Sequence, residues 1–393
     1  MAERNKVDNM RREKPSKIRT LVRIHWNSVP KEPMHLIGEP STVKSTFVLW
    51  EARQIAKDEG REFFEWNREL PDRKLEVMRN PEKFFVFADV RASETDIGEL
   101  RLQDMMNGEQ YITFKYNLLF TVLSQKLSRG ILFLDEFNNA PDMIKTQFYK
   151  IINDRAIGDI PIADGVLVVS AGNEIEQARG VTEDPVPLVL RRANYFISPP
   201  SQEEFQEYGF STGLHEWVMG YTSFAPSDVH AVVYDNPNSI GQPCSRTWTK
   251  LSNVLRSNQG MAMDDVQAVS RAFVGQAAGD KFVAYVQMAK RVNIADILAH
   301  PEKVKEFSEH KDLSIIYAVI TGVIEKFRIA AERKKVLDPA LEISLNIRTE
   351  LGVFMLRQIK NLDESFFMRT IVGHPKFVSQ ITPKYGKYFA ADN

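Results

Sequence analysis

The sequence predicts an α/β fold, a parallel and doubly wound sheet followed by a helical second half. Three observations predict it. Short apolar runs at 34–37, 84–90, 131–135, 166–171 and 194–198 are separated by segments of helical spacing. Strands buried on both faces read as such runs, and helical crossovers between them make the sheet parallel. The first run passes through a turn-forming stretch, 38–46, straight into a helix. After Pro199-Pro200 the strand signal fades and the pattern becomes helical.

The elements follow in order. Residues 1–24 are rich in Arg and Lys, with Arg4, Lys6, Arg11, Arg12, Lys14, Lys17, Arg19 and Arg23. They read as a solvated basic arm; the sharper alternative is an arm packed on a neighbouring subunit or a polyanion. Residues 34–37 form the first strand, and 46–59 a helix ended by Gly60. Beyond Asp135-Glu136, the apolar positions Ile144, Phe148, Ile151 and Ile152 mark a helix face that packs on the sheet. Residues 156–165, with Gly158, Pro161 and Gly165, read as a hairpin before the strand at 166–171. Residues 205–288 read as a small helical domain. Amphipathic stretches at 313–334 and 345–358 carry the helical pattern toward the C-terminus. The expected division is an arm at 1–24, an α/β domain at 25–200, a helical domain at 201–290 and a helical extension at 291–393.

Composition narrows the function classes. The chain has 393 residues, long enough for two or three domains with ample cores. Its 51 Lys and Arg nearly balance 52 Asp and Glu, for a net charge of −1. That balance argues against nucleic acid or a membrane as the partner. A single cysteine, Cys244, excludes an intrachain disulfide, and no Cys/His cluster has zinc spacing. A reducing, cytoplasmic setting is expected. The longest apolar run, 315–324, is interrupted by Thr321 and Gly322 and is too short to span a bilayer. The N-terminus lacks the apolar core of a secretory signal.

Two segments carry chemistry. Gly38-Glu39-Pro40-Ser41-Thr42-Val43-Lys44-Ser45-Thr46 approximates G-x-x-x-x-G-K-[ST], a phosphate-binding loop between strand and helix. Val43 stands where the second glycine belongs. Glycine is favoured there because the loop turns its N–H groups inward at dihedrals that a Cβ resists. Either the loop holds Val43 at negative φ, or the site is strained. The second segment, Ile131-Leu132-Phe133-Leu134-Asp135-Glu136, reads as a buried strand delivering two carboxylates at its end. A phosphate cradle, a magnesium anchor and a group that orients water are what nucleoside triphosphate hydrolysis requires.

Three further signals follow in fixed order: Ala171-Gly172-Asn173 closing a strand, Arg191-Arg192 before the next, and Ser245-Arg246-Thr247-Trp248 opening a helix. This order resembles the AAA+ ATPases, and within them the MoxR-like branch, most of all its bacteriophage-type members. Asp89-Val90-Arg91 matches that branch's D-x-R element, and Asp154-Arg155-Ala156-Ile157-Gly158 its D-R-x-x-G. The resemblance covers roughly 30–290. It departs at Val43, at Ser41 where glycine usually follows Pro40, and at Ala193 where Phe usually follows the arginine.

The resemblance implies a P-loop AAA+ domain with 201–290 as its lid, binding ATP and Mg²⁺. Residues 38–46 would cradle the phosphates, with Lys44 on the β- and γ-phosphates. The Ser45 hydroxyl and Asp135 would hold magnesium, which takes oxygen ligands. Glu136 would orient or deprotonate the attacking water, and Asn173 would position it. Arg192 or Arg191 would reach a neighbour's nucleotide as a trans-acting finger, and Arg246 would contact nucleotide from the lid. A hexameric ring is implied, acting on a protein substrate or adaptor, with a von Willebrand A domain protein as one partner type. Leu100, Leu102, Met105, Met106 and Tyr111 within 97–116 are candidate pore residues or plain core, and the hairpin at 157–165 is a second pore candidate. Competing readings are a nucleic-acid motor or loader, and a structural nucleotide-binding protein with weakened hydrolysis.

Overall fold

In the computed structural model, which describes residues 11–96, 100–104, 113–174, 186–234, 241–258, 260–290, 292–309 and 313–389, the chain divides into two units. The boundary falls between Pro199 and Pro200.

The strands of the first unit are β1 (Met34–Gly38), β2 (Glu62–Glu65), β3 (Phe84–Arg91), β4 (Arg101–Asp104), β5 (Thr113–Tyr116), β6 (Arg129–Asp135), β7 (Ala156–Ile157), β8 (Ile160–Pro161), β9 (Val166–Gly172) and β10 (Ala193–Ile197). Six of them form one parallel sheet in the order β10-β1-β9-β6-β3-β2. This is a parallel, doubly wound α/β sheet with a helical region following it, as the sequence predicts. The apolar runs are continuous because alternate side chains enter two different cores. Leu132, Leu134, Val166 and Val168 pack with Ile144, Phe148, Ile151 and Ile152 of the helix Asp142–Asp154. Ile131, Phe133, Leu167 and Val169 pack on the other face with Val48, Ala52 and Ile55 of the helix Lys44–Asp58.

Three features differ from the sequence expectation or extend it, and a fourth matches it. The edge strand β2 is only four residues, Glu62-Phe63-Phe64-Glu65, and its charged ends hide it in a hydropathy pattern. The long connection after β3 contains the antiparallel hairpin β4–β5. Leu100 there is buried core, whereas Met105, Met106 and Tyr111 lie outside the described residues. The hairpin expected before β9 is present as β7–β8. The helix after β1 starts at Lys44, two residues early.

The basic N-terminal stretch is not a solvated arm over its described length. The helix Lys17–Asn27 buries Ile18, Leu21, Val22 and Trp26 in the same core as β1. Its Arg19 and Arg23 pair with Glu51, whose side chain is 6% exposed, and Arg23 also reaches Asp58. Ahead of it, Glu13 bridges to Ile197 at the sheet edge, and Arg12 pairs with Glu174. A charge run reads as solvated only when its counter-charges are distant in sequence and cannot be seen.

The second unit is helical from Gln202–Thr212 to Thr382–Phe389. One hydrophobic cluster runs through it, so Trp248 and Phe282 share a core with Ile320, Ile324, Leu356 and Tyr385. Residues 201–290 and 291–393 therefore bury their apolar faces together. No helix among the described residues is long and apolar enough to cross a membrane.

Candidate functional site

β1, β9 and β6 lie side by side and parallel, so the loop after β1, Asn173 after β9 and Asp135-Glu136 at the end of β6 share one edge. Ligands of open α/β sheets bind at the carboxyl ends of strands for this reason. Gly38 ends β1 in a tight place. A Cβ there would lie 2.6 Å from the Ile197 carbonyl oxygen of β10 and 3.2 Å from Thr42 Oγ1.

The loop itself is strained. Ser41 has φ 68° and Val43 has φ 53° with ψ 26°, in the left-handed region. Of the two alternatives for Val43, the structure takes the strained one, and a β-branched residue is a real outlier there. Thr42, 1% exposed, hydrogen-bonds the Glu39 carbonyl at 2.8 Å. The Lys44 ammonium turns back into the loop, donating to the carbonyls of Gly38 (2.9 Å) and Glu39 (3.1 Å) and to Thr42 Oγ1 (3.0 Å). Bound phosphate would offer this ammonium anionic acceptors in place of carbonyls. Ser45 and Thr46, in the first turn of the helix, line a cavity of about 700 Å³ with Asn67, Asp89, Arg91, Glu94 and Asn117.

The carboxylates at the strand ends are electrostatically distinct. Burial raises Asp135 above the usual carboxylate range, while the Glu136 N–H (2.9 Å) and the Lys44 charge work the other way. That Lys44 acts on Asp135 places the loop cation and the strand-end carboxylate in one field. Asp89, on the adjacent β3, is pushed up to about 6 by burial and then by Asp135. Its Oδ1 is buried without a hydrogen-bond partner. Glu136 sits at φ 52°, ψ 34°, and its Oε2 accepts a hydrogen bond of 2.6 Å from Ser93. A hydroxyl and a carboxylate, Ser45 and Asp135, are the hard oxygen donors that Mg²⁺ takes, and the unsatisfied oxygen of Asp89 adds acceptor capacity beside them. The donor set fits magnesium.

The two arginines separate. Arg192 is 8% exposed, donates from Nε to Asn194 (3.1 Å) and stacks 5.3 Å over Phe137. Its charge, after burial, helps hold the enclosed His35 well below its ordinary value, and His35 bonds Ser170 at 2.7 Å. Arg192 is therefore built into the first unit's own fold, whereas Arg191 is exposed. In the second unit, Trp248 is fully buried and donates to the Asp228 carbonyl at 2.7 Å, which leaves Arg246 exposed on the first turn of the helix Ser245–Ser257. Of the sequence-derived site residues, the first unit thus brings together 38–46, Asp135, Glu136 and Asn173, but encloses Arg192.

Sequence reasoning missed Ser93 and Asn138, which hold Glu136 and Asn173. Only the spacing of Asn138, two residues past Glu136, could have pointed to it. Arg155, matched as part of a motif, serves the fold: it donates to the carbonyls of Lys31, Ala163 and Val166.

No protein-family model matches the sequence, and no curated protein does. Among solved structures, the chain is similar to a candidate ATPase of Cytophaga hutchinsonii, at 15% identity and TM-score 0.32. That match covers 50% of this chain and about half, 51%, of the other. It is also similar to the ORC2 protein of Aeropyrum pernix in its ADPNP and ADP complexes, at 12% identity and TM-score 0.38, over 90% of this chain and 87% of that one. A RuvB variant of Thermotoga maritima follows at 11% identity and TM-score 0.29, over 73% and 76%. Likeness this remote carries no argument; the strand order and the loop after β1 define a doubly wound α/β fold with a phosphate-loop-like segment at its carboxyl edge.

Two predictions follow from this geometry. Val43→Gly should tighten binding of a non-hydrolysable ATP analogue, because left-handed strain of this kind is worth about 1–3 kcal/mol, offset in part by the added freedom of the unbound loop. Calorimetric titration checks it; equal or weaker affinity in the glycine variant sinks it.

Asp89→Asn should stabilise the protein above pH 6 and have little effect near pH 4. Because the folded pKa of about 6 lies above the ordinary 3.8, the native state binds the extra proton, and stability falls as pH rises through that window. The gap between variant and parent in urea unfolding should therefore widen from pH 4 to pH 7. A constant gap would refute this.

Proposed function

We propose that this chain is a ring-forming, MoxR-like ATP hydrolase that couples ATP binding and hydrolysis to remodelling or maturation of a protein complex. The observation that carries the reading is the adjacency of β1, β9 and β6, which gathers Lys44, Asn173, Asp135 and Glu136 at one sheet edge. Lys44, folded onto its own loop, is the group to meet the β- and γ-phosphates. Ser45 and Asp135 would hold Mg²⁺, which supplies charge neutralisation on the phosphates when bound. Glu136 is the acceptor for the water proton once Ser93 releases its carboxylate, and Asn173 orients that water. The sequence resemblance also assigns a nucleotide contact to Arg246. The near-neutral charge and internally paired N-terminal arginines support a protein partner, including a von Willebrand A domain adaptor, over a nucleic-acid one. A hexamer in a host cytoplasm, encoded by a phage, is the setting that the sequence resemblance supplies. One observation favours a second reading, a structural nucleotide-binding protein with weak turnover: the left-handed Val43.

Glu136→Gln decides between the two. It should keep ATP binding and lose turnover by roughly 10²–10⁴-fold, measured as phosphate release with Mg²⁺. Turnover at the parental rate removes Glu136 from the mechanism, and a parent without turnover favours the structural reading.

Exposure makes Arg191 the better trans-acting finger. Arg191→Ala should leave ATP binding intact and lower turnover of the assembled protein by roughly a thousandfold or more. Mixed with Lys44→Ala subunits it should recover part of that loss. Full activity of Arg191→Ala alone, or no recovery in a demonstrably mixed assembly, rejects the assignment.

A further inference from the structure

The ladder between β6 and β9 ends at Leu134 opposite Ser170. Beyond that rung β6 turns away through the left-handed Glu136 into the short helical turn Phe137–Asn139. There, among the described residues, one side chain hydrogen-bonds the two strand ends together. The Asn138 carboxamide, 7% exposed, accepts from the Asn173 N–H at 3.0 Å through Oδ1 and donates through Nδ2 to the Asn173 carbonyl. The side chain thus replaces a rung of backbone ladder. The two partners also fix which way the amide faces, since the N–H needs the oxygen and the carbonyl needs the NH₂.

The neighbours are shaped for this clamp. A Cβ on Gly172 would lie 2.6 Å from Asn138 Oδ1 and 2.8 Å from its Cγ, so glycine is what admits the carboxamide. Phe137 is fully buried against Phe148 and Tyr149, which holds the turn from below. On the other side of the strand tip, Arg12 pairs bidentately with Glu174 at 2.5 and 3.0 Å. Asn173 is therefore held between two fixed neighbours, and the firmer hold comes from the same turn that carries Glu136.

We propose that Asn138 is a positioning residue for hydrolysis: it fixes Asn173 relative to Glu136, so that one water is oriented by one and deprotonated by the other. The inference rests on the hydrolytic reading above. Asparagine is the residue that can do this. Aspartate keeps the acceptor but sets an oxygen against the Asn173 carbonyl, and alanine supplies neither partner. A misplacement of about 1 Å in such a pair costs up to roughly a hundredfold in rate.

The experiment compares Asn138→Asp, Asn138→Ala, Asn173→Ala and the Asn138→Ala/Asn173→Ala double variant in the full chain. Steady-state ATP turnover, affinity for a non-hydrolysable analogue and thermal unfolding are measured for each. Both Asn138 variants should lose roughly ten- to a hundredfold in kcat, with analogue affinity within about threefold of the parent. The double variant should be no slower than Asn173→Ala alone, because the two act as a unit. Adding Gly172→Ala to Asn138→Ala should restore thermal stability without restoring kcat, since the methyl fills the vacated space. Parental kcat in Asn138→Ala overturns the inference alone, as do losses that multiply in the double variant. A parallel fall of kcat, affinity and unfolding temperature, or failure of both Asn138 variants to fold, overturns it in favour of a purely structural role. Absence of turnover in the parent sinks the hydrolytic reading and this inference with it.

Discussion

The parallel pairing of β1 with β9, and of β9 with β6, is the constraint on which the site depends. Parallel strands all end at the same edge, so three loops that are far apart in sequence must meet there. Close approach keeps the register: β10 packs so tightly on the end of β1 that its Ile197 carbonyl leaves room only for Gly38. Both sheet faces are filled by apolar side chains from two separate cores. Polar chemistry gathers at the carboxyl edge, where the strands run out and backbone groups need new partners.

At that edge the backbone is held in unusual conformations and the charges are crowded. Among the described residues, four non-glycine residues have positive φ, and Ser41, Val43 and Glu136 are three of them. Strain of this kind persists only where surrounding structure over-determines it. Here the Lys44 bonds, the Thr42 bond to Glu39 and the Ser93 bond to Glu136 do so. The carboxylates Asp89 and Asp135 are both raised by burial, and Lys44 is the cation that opposes this at Asp135.

The N-terminal segment shows the same economy of charge. Arg12, Arg19 and Arg23 each find an acid from another part of the first unit, so the basic stretch closes onto its own domain. Its contact at Glu174 lies one residue from Asn173, and its bridge at Glu13 extends the sheet edge beyond β10. The segment thus braces the edge strand and the tip of β9.

By itself the sequence determined the α/β class and the break at Pro199-Pro200, and it singled out the loop 38–46, the acidic pair and Asn173. Each of these is written in contiguous residues, as an apolar run buried on two faces or as a turn with fixed chemistry. What lay beyond it were contacts between segments remote in the chain. The edge strand β2 needs β3 beside it to be a strand. The basic stretch needs Glu51 and Glu174 to stop being a solvated arm. Arg191 and Arg192 are identical in sequence terms, and only the packing of Phe137 encloses one and leaves the other exposed. The sign of φ at Val43 was open for the same reason. Side-chain size fixes what a left-handed residue costs, but the bonds of Lys44 and Thr42 around it decide that the loop bears the cost.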